Sequence, residues 1–212
     1  MVAVRQFDEG VVLEAMMRVF WRQGFEATSI DDLVAASGVK RQSLYNAFGD
    51  KEAMFLRALD RYRETVAAPI LAALGGDDPH AALQRYIALH IERMAEPGSP
   101  TGCLIAGSCT ELGGRDDRLG RWAASETKAS EQTLLKMLET WQRGGRVAPH
   151  RDLRPLAVYL IAFVRGLAAL HRATGDLDAV RAATDVGLQA LTPWLPAADE
   201  AETPGAAREC TA

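Results

Sequence analysis

The sequence predicts an all-α protein, a small N-terminal module of three helices followed by a larger helical bundle. Three observations lead there. Hydrophobic residues fill 48% of the 212 positions and aromatic residues only 7%, with Ala, Leu, Arg and Glu prominent, which is a composition of good helix formers. Alternating β-branched runs, the mark of half-buried strands, are almost missing from the sequence. Apolar residues recur instead at helical spacing between glycine and proline punctuation.

The first helix is expected from Asp8 to Gln23, with Val12, Met16, Val19 and Phe20 on one face and Gly24 as its C-terminal stop. Thr28 or Ser29 offers an N-cap oxygen for the second helix, and Asp31 and Asp32 suit the positive end of its dipole. Ile30, Leu33 and Val34 share a face of that helix, and Gly38 ends it. After a very short turn, Leu44 and Phe48 supply the apolar side of a third helix, which stops at Gly49. A longer helix then starts at Lys51 and runs through Met54, Phe55, Ala58, Leu59 and Tyr62 toward Leu74. Helical patterns follow at about 80–95, 101–112, 116–143, 153–173 and 177–195, separated by Gly- and Pro-rich breaks. The expected organisation is a module over 1–50, a bundle over 51–196 and a disordered tail over 197–212, where small, acidic and breaker residues show no apolar period.

Composition also narrows the functional classes. The formal net charge is −4, so nothing about the chain as a whole favours nonspecific attraction to nucleic acid, and any such role must rest on a local surface. The N-terminal ten residues carry acids and no apolar segment, which does not read as a secretory signal and predicts a cytoplasmic location. The most apolar stretch, Pro155 to Leu170, is shorter than a bilayer span and is interrupted by Arg165, so it is expected to be a buried helix and no membrane anchor is expected. Three cysteines without a short repeating spacing point to free thiols in a reducing compartment.

The segment from Ile30 to Phe48 carries the clearest functional signal. Ile30, Leu33, Val34, Gly38, Val39, Leu44 and Phe48 have the spacing of a helix-turn-helix, in which two short helices cross closely around a glycine turn. The outward positions of the third helix are Lys40, Arg41, Gln42, Ser43, Tyr45 and Asn46, and no acid lies between Gly38 and Gly49. Long donors and amphoteric side chains on one short helix suit a groove lined with phosphates and base edges.

The stretch GFEATSIDDLVAASGVKRQSLYNAFGDKEAMF resembles the N-terminal DNA-binding segment of tetracycline-repressor-like (TetR-like) regulators over about residues 8–60. Its marks are Gly24-Phe25, Thr28, Gly38-Val39, Leu44-Tyr45, Phe48 and Lys51-Glu52, with Gln42 and Asn46 departing from the commoner glycine and histidine. The resemblance implies that Thr28, Tyr45, Lys51 and Asn46 contact phosphates, while Lys40, Arg41, Gln42 and Ser43 face base edges, Arg41 toward guanine and Gln42 toward adenine. It implies a homodimer on a pseudo-palindromic operator in double-stranded DNA, with half-sites roughly 34–36 Å apart. The last two helices would pair with their symmetry mates, a role that Leu156, Tyr159, Leu160, Phe163, Leu167, Val186 and Leu191 suit, about a third of them serving instead as core. It also implies a small-molecule effector enclosed by the middle helices, whose binding shifts the spacing of the reading helices.

The stretch GCLIAGSCTELG at 102–113 resembles the Gly-Cys-Leu opening of a helix in one branch of the same regulators. Cys103 is expected just inside a helix start, where the dipole would favour its thiolate and make it a sensor of oxidants or electrophiles; the other reading is a small, unreactive core residue. Tyr86, His90, Trp122 and Phe163 are further candidates for an effector pocket, and each is also a natural core residue. Histidines at 80, 90, 150 and 171 form no pair at three- or four-residue spacing with a carboxylate, so no metal is expected, and no cofactor or catalytic motif is apparent. A helical adaptor that binds protein rather than DNA is the competing function; the basic outward residues of the third helix argue against it.

Overall fold

The computed structural model describes residues 7–195, and within them every regular element is helical. The expected tail over 197–212, with Cys210, lies outside the described residues.

Helix α1 (Glu9–Gln23) is N-capped by Asp8, whose carboxylate accepts from Gly10 and Val11. It ends at Gly24, whose φ of +83° and ψ of −179° favour glycine. Ser29 caps α2 (Ile30–Ser37) in a reciprocal capping box with Asp32. Gly38, left-handed at φ +69°, turns the chain into α3 (Arg41–Phe48). Asp50 then caps α4 (Lys51–Tyr62) by accepting from Ala53.

The path toward Leu74 is helical but not uniform. After α4, a π-helical stretch spans Arg63–Ala67 and leads into α5 (Ala68–Ala72). Pro69 supplies a physical reason: it has no N–H to donate into an α-helical ladder, and the wider turn accommodates the missing bond.

The bundle follows as α6 (Pro79–Ala95), α7 (Leu104–Leu112), α8 (Arg118–Arg143), α9 (Arg154–Thr174) and α10 (Leu177–Leu191). Helix α7 begins three residues later than the periodicity predicts. Gly102 sits at φ +75° and Cys103 is an extended N-cap, so the thiol stands at the helix boundary rather than inside the first turn. Helix α9 has 21 residues and is long and apolar enough, by length and composition alone, to cross a bilayer. That differs from the shorter stretch read in the sequence. Part of its apolar surface is used within the chain, since Leu156, Ala157, Leu160, Leu167 and Ala168 are buried.

One core runs across position 50. Met16, Phe20 and Trp21 of α1, Leu33 of α2, Leu44 and Phe48 of α3 and Met54, Phe55 and Leu59 of α4 belong to a single cluster that continues into Leu104, Leu112 and Leu119. Phe55 is its hub, with ring centroids 5.0 Å from Phe20, 5.0 Å from Phe25 and 6.4 Å from Trp122. Two further clusters fill the bundle, one joining α8 to α9 through Leu138, Trp141 and Leu156, the other joining α6, α9 and α10 through Ile87, Leu167 and Val180.

The seven residues assigned to the partner face divide differently from expectation. Leu156, Leu160, Leu167 and Leu191 are buried within the chain, because both helices turn those positions toward α6 and α8. Tyr159 and Val186 stay exposed, joined by Val158, and Phe163 is half-buried, stacked on Tyr159 at 5.9 Å.

Leu44 is fully buried in a helix of eight residues. Leu44→Ala should therefore lower unfolding free energy by about 3 kcal/mol. A urea denaturation midpoint unchanged from the parent chain would contradict this packing.

Candidate nucleic-acid interface and its coupling to the bundle

Helix α3 presents a continuous polar surface. Lys40, Arg41, Gln42, Tyr45 and Asn46 are exposed, while Ser43 is half-buried. Tyr45 is 38% exposed even though the neighbouring Leu44 and Phe48 are sealed in the core. Arg41 is held by Asp31 of α2 at 2.5 Å, a contact between the two crossing helices that steadies the guanidinium. Gln42 Nε2 donates to Asn46 Oδ1 at 3.0 Å, one turn along the helix. These two side chains, assigned separately from the sequence, form one amide pair.

Lys51 lies beside this surface on α4. Its Nζ sits 4.4 Å from the Phe25 ring centroid and donates to the Glu26 carbonyl at 3.4 Å. Thr28 departs from the expected role. It is 1% exposed and its hydroxyl donates to the Gly24 carbonyl at 2.6 Å. Of the two neighbouring hydroxyl residues, Ser29 caps α2 and Thr28 closes the end of α1, so the Thr28 side chain is not presented to a phosphate.

The module is tied to the bundle by polar contacts at the end of α1. Glu111 of α7 accepts from the backbone N–H of Phe25 at 3.0 Å and of Glu26 at 2.8 Å. Gly24 leaves room for this approach, since a Cβ there would stand 2.6 Å from the Glu111 carboxylate and push it aside, and its positive φ favours glycine in any case. Arg172 of α9 donates to the carbonyls of Trp21 at 2.8 Å and Arg22 at 3.2 Å, which satisfies groups left open at a helix C-terminus. Arg115 adds an ion pair with Glu26.

The same region holds Cys103. Its sulfur accepts from the Tyr62 hydroxyl at 3.3 Å. The preceding Gly102 N–H donates to His171 Nδ1 at 3.2 Å, and a Cβ on Gly102 would meet the Ala168 carbonyl at 3.0 Å and Arg172 Cβ at 3.1 Å. Arg172 thus packs its stem against the start of α7 and extends its guanidinium to α1. Burial, with the nearby Cys103 second, raises the Tyr62 hydroxyl well above the ordinary tyrosine value.

Of the five expected effector residues, three come together. Tyr86 packs where all three apolar clusters meet, two of them shared with Cys103, and its ring lies edge-on to His90 at 4.7 Å. Burial pushes the Tyr86 hydroxyl up to about 12 and lowers His90 to about 4. The His90 Nε2 has no hydrogen-bond partner. Trp122 instead joins the core beneath α4, and Phe163 lies over Gly187 of α10. Burial also raises the Cys109 thiol. Among the described residues, no group of three or more His, Cys, Asp or Glu side chains is placed to hold a metal ion.

Sequence reading passed over Glu111, Arg172, His171 and Arg165. Only Arg165 left a local trace, as a charge interrupting an apolar helix. The guanidinium donates to Thr127 at 3.1 Å and to the Cys109 sulfur at 3.9 Å.

Glu111→Ala should expose the Phe25 and Glu26 amides and speed their hydrogen exchange about tenfold, leaving α3 amides near their parent rates. Unchanged exchange at both positions would refute the tie. His90 gives a second expectation. The unfolded chain takes up a proton near 6.5 that the folded chain refuses until about 4, so stability is complete above 6.5 and falls as pH drops through that window. The loss at pH 5 is about 2 kcal/mol, with His171 contributing in the same direction. Denaturation of His90→Leu across this range should show a much shallower slope, and an identical slope would exclude His90 as its source.

Comparison with known proteins agrees with this geometry. Residues 12–58 match the family model for bacterial regulatory proteins of the tetR family, and residues 79–186 match the tetracyclin repressor-like C-terminal domain. The chain is 33% identical over 174 residues to the HTH-type transcriptional repressor ComR of Escherichia coli K12, covering 81% of this chain and 83% of that protein. It is 28% identical over 189 residues to the HTH-type transcriptional regulator YezE of Bacillus subtilis 168, covering 88% and 97%. Among solved structures, a triple cysteine variant of the TetR family regulator CifR, complexed with a 26 bp operator DNA, superposes with a TM-score of 0.81 at 24% identity, over 90% of this chain and 98% of that one. With both its reading module and its bundle accounted for by the same family, the chain belongs to the TetR family of transcriptional regulators, as the residues around Gly24, Gly38 and Lys51 imply.

Proposed function

We propose that the chain is a homodimeric repressor, acting in the cytoplasm, that holds a pseudo-palindromic operator through two copies of α3 and releases it when an effector binds in the bundle. The exposed donor surface of α3, backed by a buried apolar face, carries this reading. Its role is binding rather than catalysis. ComR bears the name of a repressor, which supports repression over activation, and the complex of CifR with a 26 bp operator supports double-stranded operator DNA as the partner.

In this reading residues 1–50 form the reading module and residues 51–196 the bundle, with α4 as the hinge between them. Arg41, braced by Asp31, addresses guanine, and the Gln42–Asn46 amide pair offers a donor and an acceptor to adenine. Lys40 and Ser43 flank them, while Tyr45 and Lys51 set register on phosphates. Val158, Tyr159 and Val186 form the apolar face that meets the partner copy. Effector binding beside Tyr86, His90 and Cys103 favours one spacing of the two reading helices through the Glu111 and Arg172 ties.

The test compares operator and scrambled duplex by fluorescence anisotropy over a range of salt. Arg41→Ala should lose about 1–3 kcal/mol of discrimination at one position of each half-site, and Lys51→Ala should weaken all duplexes alike and reduce the salt slope by about one. Equal losses on both duplexes for both variants would overturn the assignment. A dimer that retains no duplex from its own upstream region at low salt would favour the protein-binding adaptor.

A further inference from the structure

Between α1 and the pair α7 and α9 lies a cleft of about 390 Å³, within the range of small-molecule sites, roughly 300–1,000 Å³. Cys103, Arg165 and Arg172 line it together with Trp21, Ser108 and Glu111. The hydrogen-bond partners of the two guanidinium groups are all uncharged. Arg165 donates to the Thr127 hydroxyl and the Cys109 sulfur, and Arg172 donates to two backbone carbonyls. Glu111 is the acid on the cleft wall, and its oxygens are engaged by the Phe25 and Glu26 amides. The lining therefore holds two cations against one anion.

Two contrasts point toward a ligand. In the open groove lined by residues of α1, α4, the π-helical stretch, α5 and α6, the cations Arg61 and Arg93 are answered by Glu14 and Glu96; the cleft has no such balance. Trp21, 1% exposed, also borders the cleft, and its indole N–H is buried without an acceptor. An unanswered positive charge and an unused donor beside a thiol describe a receptor for an anion.

We infer that this cleft takes a small electrophile bearing an acidic group and presents it to the Cys103 sulfur; the inference rests on the effector reading above and shares Cys103 with it, while Tyr86 and His90 lie outside the cleft lining. Arg165 and Arg172 hold the acidic group. For a conjugated acceptor, the thiol releases its proton to solvent, the sulfur bonds to the β-carbon as the carbon–carbon π bond breaks, and solvent returns one proton to the α-carbon. No oxidant or reductant is needed. The adduct then occupies space beside Gly102, where Arg172 is packed, and an acidic group paired with Arg172 competes with the Trp21 and Arg22 carbonyls for the same guanidinium. One of the ties between bundle and reading module is released by the bond that forms.

Iodoacetate and iodoacetamide test the charge preference directly, since they are nearly the same size and differ in one negative charge. The sulfur displaces iodide from either reagent and releases its proton to solvent. Dividing the two rates at Cys103, followed by peptide mapping, cancels thiolate fraction and accessibility. In the native full-length chain the iodoacetate to iodoacetamide ratio should exceed that of the urea-unfolded chain by about tenfold. Arg165→Met should reduce the native ratio by about threefold, whereas Arg165→Lys should keep it. Equal ratios in native and unfolded chain, a ratio indifferent to Arg165→Met, or a Cys103 that neither reagent modifies in the native chain would each overturn the inference. Retention of upstream duplex by the untreated chain, measured in the same samples, separates the two readings. A flat ratio with duplex retained defeats the cleft alone, and a selective ratio without duplex binding defeats the regulator reading alone.

Discussion

An isolated helix of eight residues does not persist in water, and α3, the helix proposed to enter the groove, has only eight. Its order comes from elsewhere. Leu44 and Phe48 are held by a core whose largest members belong to α1 and α4, with Phe55 touching rings from two other segments. Because α4 shares that core and also begins the bundle, the reading surface inherits its position from the rest of the chain. A change in α4 moves α3 as a body, since close-packed side chains transmit displacement rather than absorb it.

Apolar packing fixes the module's shape, but its setting on the bundle depends on directional bonds. Carboxylate and guanidinium groups on α7 and α9 reach backbone amides and carbonyls at the end of α1. Backbone targets give a rigid connection, because the main chain has no rotamers to yield. They also explain two glycines. Gly24 makes room for Glu111, and Gly102 makes room for Arg172, so the family mark of a glycine before Phe25 has a steric cause here. The tie at Arg172 also passes within contact of the residue preceding Cys103, which brings the thiol and the reading module into one mechanical path.

Much of this fold was legible in the sequence because its signals are local. Gly24, Gly38, Gly49 and Gly175 all take positive φ at helix ends, and Asp8, Ser29, Asp50 and Asp176 cap the starts. The all-α architecture and the reading module follow from those marks. Adjacent hydroxyls offer the same local chemistry, so the sequence leaves the α2 cap open between Thr28 and Ser29; Ser29 takes it, and Thr28 turns back to Gly24, which withdraws its hydroxyl from the phosphate role that the resemblance implies. Leu156, Leu160, Leu167 and Leu191 were assigned outward for a related reason: an apolar stripe records that a face is buried, not whether the chain or its twin buries it. Glu111 meets Phe25 across 86 positions, a separation at which no window of sequence carries information.

A chain of net charge −4 that reads DNA faces a constraint of its own. Long-range attraction to phosphates is weak, so affinity must come from short-range contacts, to phosphates as well as base edges, and the base-edge contacts form only where the sequence matches. The cations of the proposed reading surface fit that constraint. Arg41 is held by Asp31 and Lys51 by the Phe25 ring and the Glu26 carbonyl, which limits the entropy lost on docking while reducing bare charge. Such a surface trades reach for discrimination. It also makes release easier to achieve, since affinity that depends on the fit of two rigid reading helices is lost when their spacing departs from the operator, without any need to neutralise a large electrostatic attraction.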